Sequence, residues 1–186
     1  MAQLKTIGAE EIKAAIERLA AAILERHRSS ARLLILGIAN GGIEVAKRLA
    51  ARLAAIAPHL ATKTGTVDIS FHRDDITRNP IPKEFAPTQI PADVNGATII
   101  LVDDVLYSGR TIKAALDELF DHGRPTKVEL AILVDRGGRR LPFTANYCGL
   151  TVSATEAEKV VVKMNGDEPA KDEIRIETTV ARNPAL

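Results

Sequence analysis

Hydrophobic and polar positions change period several times along the chain, and each change marks an element. Residues 9–27 carry Ile12, Ile16, Leu19, Ala20, Ile23 and Leu24 on one helical face, the spacing of an amphipathic helix. RLLILGI at 32–38 is short, continuously apolar and followed by glycine-rich punctuation, which predicts a buried strand. GGIEVAKRLAARLAAIA at 41–57 resumes the helical pattern. TVDISFHR at 66–73 alternates Val67, Ile69 and Phe71, the period of a strand. From Asp74 to Gly96 the chain is polar and holds Pro80, Pro82, Pro87 and Pro91. A connection of that length in a compact domain is usually functional or mobile.

A second unit follows. ATIILVDD (97–104) reads as a strand and TIKAALDELFDHG (111–123) as a helix with Ile112, Leu116, Leu119 and Phe120 as its core stripe. Gly123, just before Pro125, closes that helix. KVELAILVD (127–135) is a further strand, and shorter strand-like pieces lie at 158–164 and 172–179. Repeated strand–helix–strand order predicts an α/β domain, an open parallel sheet flanked by helices. We read 1–186 as one domain with its core at 9–135. Residues 136–186 and the N-terminal edge 1–8 form a small C-terminal cap.

Composition adds limits. At 186 residues, with 46% of them hydrophobic, the chain can bury a sizeable core without staples. A net charge of +1 excludes a polybasic nucleic-acid binder and leaves room for a local basic face. The single cysteine, Cys148, excludes an intramolecular disulfide, fits a reducing compartment and reads as a small buried side chain. The opening MAQLKTIGAEEIKAA lacks the apolar core of a signal peptide, and no apolar run approaches the ~20 residues needed to cross a membrane. The expectation is a soluble, cytoplasmic protein with no membrane partner. The four histidines show no metal-ligand spacing.

The chemistry concentrates in IILVDDVLYSGRT, 99–111. Ligands of open parallel sheets bind beyond the carboxyl ends of strands, where Asp103 and Asp104 fall. Ser108, Gly109 and Thr111 are small or hydroxylic and open a helix whose first N–H groups lack intrahelical partners, a cradle for a phosphate monoester. Two acids beside such a cradle suit a sugar phosphate. Adjacent acids after an apolar strand also serve to cap a helix, to face solvent, or to bind metal in a Walker B arrangement. That last arrangement needs a G-x-x-x-x-G-K-[ST] loop, which the chain lacks.

TIILVDDVLYSGRT (98–111) resembles the phosphoribosyl pyrophosphate (PRPP) signature of type I phosphoribosyltransferases. More closely, it resembles the pyrimidine operon regulator / uracil phosphoribosyltransferase family, the PyrR type. The likeness continues in GIEVAKRLA (42–50), DISFHRDDI (68–76) and GRPTKVELAILVDRGGRRLP (123–142). The resemblance implies the type I phosphoribosyltransferase fold with a C-terminal hood. It implies that Val102, Asp103, Asp104, Val105 and Leu106 lead into a 5′-phosphate loop of Tyr107, Ser108, Gly109, Arg110 and Thr111, with the two aspartates on the ribose hydroxyls. Ala39, Asn40, Gly41 and Gly42 fall in the pyrophosphate loop. Arg73, Asp74 and Asp75 begin a lid over 73–96, and Val134, Asp135 and Arg136 lie on the base side. Asp103, Asp104, Arg73 and Arg136 would carry catalysis, with Mg²⁺ arriving with PRPP near the aspartates. The implied partners are PRPP, uracil or UMP, a pyrimidine-operon mRNA leader, and further copies of the chain as a homodimer or higher oligomer. The RNA face would draw on Lys13, Arg18, Arg26 and Arg28, beside His27.

Three departures bear on function. Ala39-Asn40-Gly41-Gly42 stands where the regulator family usually reads Lys-Thr-Arg-Gly, although hypoxanthine-type enzymes use related NGG or KGG loops. Gly138 and Arg140 replace the His and Glu typical of DRGHRELP, and YCGLTVSAT (147–155) stands for YIGKNIPTS. The first helix carries Glu17, Ala21 and Ala22 where the family offers more polar or basic groups, which weakens phosphate contact. The leading expectation is an enzyme converting PRPP and uracil to UMP and pyrophosphate. Its alternatives are a nucleotide-sensing RNA-binding attenuator and a transferase for another base.

Overall fold

The computed structural model describes residues 5–30, 32–60, 62–72 and 87–178. In chain order the elements are β1 (Lys5–Gly8), α1 (Ala9–His27), β2 (Leu33–Ile38), α2 (Gly41–Ile56), β3 (Thr62–Val67) and β4 (Thr98–Leu106). They continue with α3 (Arg110–Asp121), β5 (Lys127–Asp135), β6 (Tyr147–Thr151), β7 (Glu158–Lys163) and β8 (Glu173–Thr178). No helix among the described residues is long and apolar enough to cross a membrane.

Five strands form one parallel sheet in the order β3-β2-β4-β5-β6. Successive side chains of a strand point to opposite faces, and the apolar runs exploit both. Leu33, Ile35, Ile100, Val102, Ala131 and Leu133 pack with Ile12, Leu19 and Ile23 of α1 and Val45, Leu49 and Leu53 of α2. The intervening Leu34, Leu36, Ile38, Ile99, Leu101, Leu130 and Ile132 pack with Ile112, Ala115 and Leu119 of α3. Continuous apolar sequence is thus the mark of strands covered on both faces.

The strand order sets the site. From β2 the chain crosses through α2 to β3, on one side, and from β4 it crosses through α3 to β5, on the other. The two crossovers use opposite faces, as right-handed connections running in opposite directions must. Their divergence leaves a crevice between the carboxyl ends of β2 and β4, the switch point at which such sheets bind ligands.

Two elements fall elsewhere than the periodicity suggests. The strand expected at 66–73 is β3, Thr62–Val67, and Phe71 is 75% exposed beyond its end. β3 is an edge strand with a mixed, mostly polar sequence, so apolar alternation does not mark it. Residues 147–151, assigned to the cap, form β6 and extend the core sheet past 135, paired in parallel with β5. The cap is therefore smaller. It is the antiparallel sheet β1-β8-β7, which joins the N-terminal edge to the last strands among the described residues. Cys148 lies exposed on the outermost strand rather than buried.

At the amino end of the sheet, away from the crevice, is a buried polar knot. His27 Nε2 lies 2.6 Å from Glu129 Oε2, and the Tyr147 hydroxyl donates to the same oxygen at 2.6 Å. The Glu129 side chain is 2% exposed. Lys127 pairs with its other oxygen at 2.5 Å. Burial raises the Glu129 carboxyl, but hydrogen bonds from Lys127, Tyr147 and His27 and the charge of His27 outweigh it and bring it down to about 2.

Candidate active site

β4 ends in the paired acids. Asp103 is 5% exposed, and its Oδ1 accepts the N–H of Asp104 at 2.9 Å. Asp104 Oδ1 accepts the N–H of Val105 at 2.7 Å. Burial, and then the neighbouring Asp104 charge, push the Asp103 carboxyl well above the usual range. Burial also raises Asp104, partly offset by its hydrogen bonds and by the positive charge of Lys159 on β7. A buried acid pair under this strain favours any ligand that offers hydroxyl donors or a cation.

Beyond the acids the chain turns into α3 through Ser108 and Gly109. Gly109 has φ +90, a left-handed conformation open to glycine, and a side chain there would meet the Phe143 ring at 2.9 Å. Asp103, Val105, Leu106, Tyr107, Ser108, Gly109, Thr111 and Ile112 enclose a cavity of about 110 Å³ at the helix N-terminus. The α3 dipole and the N–H groups that open the helix suit a phosphate. Within this run Val102 and Leu106 are core side chains, 0% and 1% exposed, so they offer only backbone to a ligand. Arg110 opens α3 from an exposed position.

The loop after β2 closes the other side of the crevice. Ala39, Asn40, Gly41 and Gly42 lead into α2, with a cis peptide between Ala39 and Asn40. A Cβ on Gly42 would fall 2.1 Å from the Val102 carbonyl oxygen, and one on Gly41 would fall 2.5 Å from the Asp104 carboxyl. Only glycine lets this loop lie against the acids.

The loop after β5 braces the cradle. Val134, expected on the base side, is 0% exposed and packs in the α1–α2 core, so its side chain faces away from a base. Asp135 accepts the Gly137 N–H and pairs with Arg139. Arg136 is 7% exposed, and its guanidinium lies 4.0 Å over the Tyr107 ring. It donates to the Glu158 carbonyl at 2.9 Å and the Thr155 carbonyl at 2.8 Å, tying the cradle to the cap. That geometry makes Arg136 a positioning residue. Arg73, Asp74 and Asp75 lie outside the described residues.

Two groups escaped the sequence reading. Arg139 donates to the carbonyls of Leu106 at 3.2 Å, Tyr107 at 3.0 Å and Phe143 at 3.0 Å, fixing the backbone at the mouth of the cradle. Lys159, on β7, adds its positive charge to the field at Asp104. Arg139 stands among three arginines in eight residues, and its spacing does not separate it from the others; Lys159 is sequence-distant from its target. On α1, Arg18 donates to the Gly149 carbonyl at 2.9 Å and Arg26 stacks on Tyr147 at 5.2 Å, while Lys13 and Arg28 are exposed.

The phosphoribosyl transferase domain family matches residues 4–164. A protein from Roseiflexus sp. (strain RS-1), named Bifunctional protein PyrR, is 40% identical over 97% of this chain and 98% of its own. A Bacillus velezensis protein of the same name is 42% identical over 84% of this chain and 87% of its own. The crystal structure of the hypoxanthine phosphoribosyltransferase of Trypanosoma cruzi superposes with a TM-score of 0.68 at 17% identity, over 92% of this chain and 94% of that one. A hypoxanthine-guanine phosphoribosyltransferase of Bacillus anthracis gives 0.63 at 19% identity, over 80% and 83%. The solved structures share the fold; the family model and the sequence relatives show that this chain belongs to the phosphoribosyltransferase family, among its PyrR-type members.

Proposed function

We propose that this protein transfers the 5-phosphoribosyl group of PRPP to uracil, giving UMP and pyrophosphate. The observation that carries the reading is the meeting of a buried aspartate pair, a phosphate-sized cradle and a glycine loop at one switch point. Ser108, Gly109, Thr111 and the first N–H groups of α3 bind the 5′-phosphate. Asp103 and Asp104 accept hydrogen bonds from the ribose hydroxyls, which relieves their mutual repulsion. As the anomeric bond breaks, the ribosyl ring gains oxocarbenium character, and the adjacent carboxylates stabilise that charge. The backbone of 39–42 lines the side from which pyrophosphate departs. Arg136 and Arg139 hold the cradle and cap in register.

The acid pair offers oxygen donors in a buried, anionic setting, which fits a hard divalent cation. Mg²⁺ bound with PRPP supplies positive charge for the leaving pyrophosphate, and Asp103 and Asp104 are the residues that would hold it. Arg73, Asp74 and Asp75 carry no step in this account.

Pyrophosphate release tests the reading, with PRPP and uracil, hypoxanthine, guanine or xanthine supplied separately. Release with uracil alone is expected. Release with a purine alone would keep the site and overturn the substrate. Silence with every base, in protein that binds UMP, would leave a nucleotide sensor.

The bifunctional name of the relatives supports a second activity, UMP-responsive binding of a pyrimidine-operon RNA leader. Since Arg18 and Arg26 already serve intramolecular contacts, phosphate binding on this face would rest chiefly on Lys13 and Arg28. The expected signature is a shallow salt dependence of RNA affinity. Self-association as a homodimer or larger assembly, and a cytoplasmic location, belong to the same reading.

A further inference from the structure

A second chemical cluster lies away from the crevice, at the carboxyl end of α3. Helical spacing sets Glu118, Asp121 and His122 on one side of its last turn. The segment following β3 brings His72 across to meet them. His72 Nε2 is 3.0 Å from Glu118 Oε2 and 3.6 Å from Asp121 Oδ2. One donor atom from each of these three residues lies within 4.8 Å of the other two. His122 Nε2 stands 3.2 Å from the other Glu118 oxygen, to which the Thr88 hydroxyl donates at 2.6 Å.

His72 and His122 both stand within hydrogen-bond distance of Glu118, so the cluster is held together before any ion enters. A neutral imidazole has a single N–H, and His72 Nε2 has a carboxylate on each of two sides. Two carboxylates and two imidazoles on two chain segments form a mixed nitrogen and oxygen set with net negative charge. Imidazole suits Zn²⁺ and related metals, whereas Mg²⁺ and Ca²⁺ take oxygen. Zinc–ligand bonds of about 2.0–2.2 Å in a tetrahedron put donors about 3.3 Å apart. The separations from His72 bracket that value.

We propose that His72, Glu118 and Asp121 bind a Zn²⁺-class transition metal that fastens the segment 68–72 to α3. His122 or a water completes the coordination. The site is structural and separate from the PRPP crevice, and it stands independently of the substrate assigned above. Thr88 donates its hydroxyl to Glu118 and so orients that ligand.

The test is Co²⁺ titration of the metal-free protein, read by visible d–d absorption, with Zn²⁺ as competitor. One Co²⁺ per chain is expected, with a tetrahedral or five-coordinate spectrum that Zn²⁺ abolishes and excess Mg²⁺ leaves intact. Zn²⁺ should also raise the melting temperature. Both responses should vanish in His72→Gln and Glu118→Gln and weaken in Asp121→Asn, whose exposed side chain makes loss of folding no explanation. Absence of the band in the parent protein, or its survival in the His72→Gln/Glu118→Gln double variant, would overturn the proposal. PRPP binding measured on the same variants should not change, so this outcome is distinguishable from failure of the transferase reading.

Discussion

Gly41 lies so close to Asp104 that a first side-chain carbon at 41 would stand 2.5 Å from the Asp104 carboxyl. The 39–42 loop and the acids of β4 are therefore one packed unit across two non-consecutive strands. Gly41→Ala should push them apart while leaving the core untouched. PRPP affinity should fall about tenfold or more, roughly 1.4 kcal/mol, as read by calorimetric titration. Unchanged affinity would show that the loop does not act through this contact.

Asp103 is held out of water beside a like charge, so it destabilises the fold it serves. Asp103→Asn should leave the melting temperature equal or raised and cut turnover about 100-fold or more, the scale of a lost transition-state contact. Melting and pyrophosphate release measured on the same preparation check both halves. A variant that turned over normally would detach the acid from the chemistry.

Arg139 reaches three carbonyls around the cradle without touching its interior. Arg139→Gln should therefore raise the KM for PRPP about tenfold, with a smaller effect on kcat, and Arg139→Lys should rescue poorly because one ammonium cannot replace a planar fork. An equal fall in kcat for both variants would contradict this positioning role.

Acid should loosen the knot around Glu129. Its carboxyl falls from 4.5 to about 2 on folding, so it contributes stability above about pH 4.5 that is lost as pH falls towards 2. Urea midpoints recorded from pH 6 to 3 should decline more steeply in the parent protein than in Glu129→Gln, which is weaker at pH 6. Parallel curves would remove Glu129 as the source.

Gly138 has φ +75, and a Cβ there would meet the Tyr107 ring at 2.5 Å. Gly138→His should displace that ring from Arg136 and cost about 1–3 kcal/mol of stability by denaturant unfolding. Combining it with Tyr107→Ala should recover part of the loss, and strict additivity would show that ring and glycine are uncoupled.

Burial on both faces is why β2, β4 and β5 could be read so closely from sequence: their apolar runs leave no room for another element. The acids and the cradle were equally legible, because their local order is their geometry. β3 and β6 were not. Both are edge strands of mixed composition, stabilised by a neighbour the sequence does not display. The same limit hid Arg139, whose role depends on which carbonyls come within reach. It also hid the pairing of His72 with α3, which joins residues 46 positions apart.

The divergence of the two crossovers has a kinetic consequence. Neither strand–helix–strand unit owns a complete site; the loop after β2 and the acids of β4 become neighbours only when those strands zip together over a long intervening stretch of chain. Such distant pairings form late relative to local helices. On dilution from denaturant, nucleotide binding should return after the helical signal does. A nucleotide seated as proposed would clasp that same seam, so occupancy would be a brake on unzipping as well as a step in turnover.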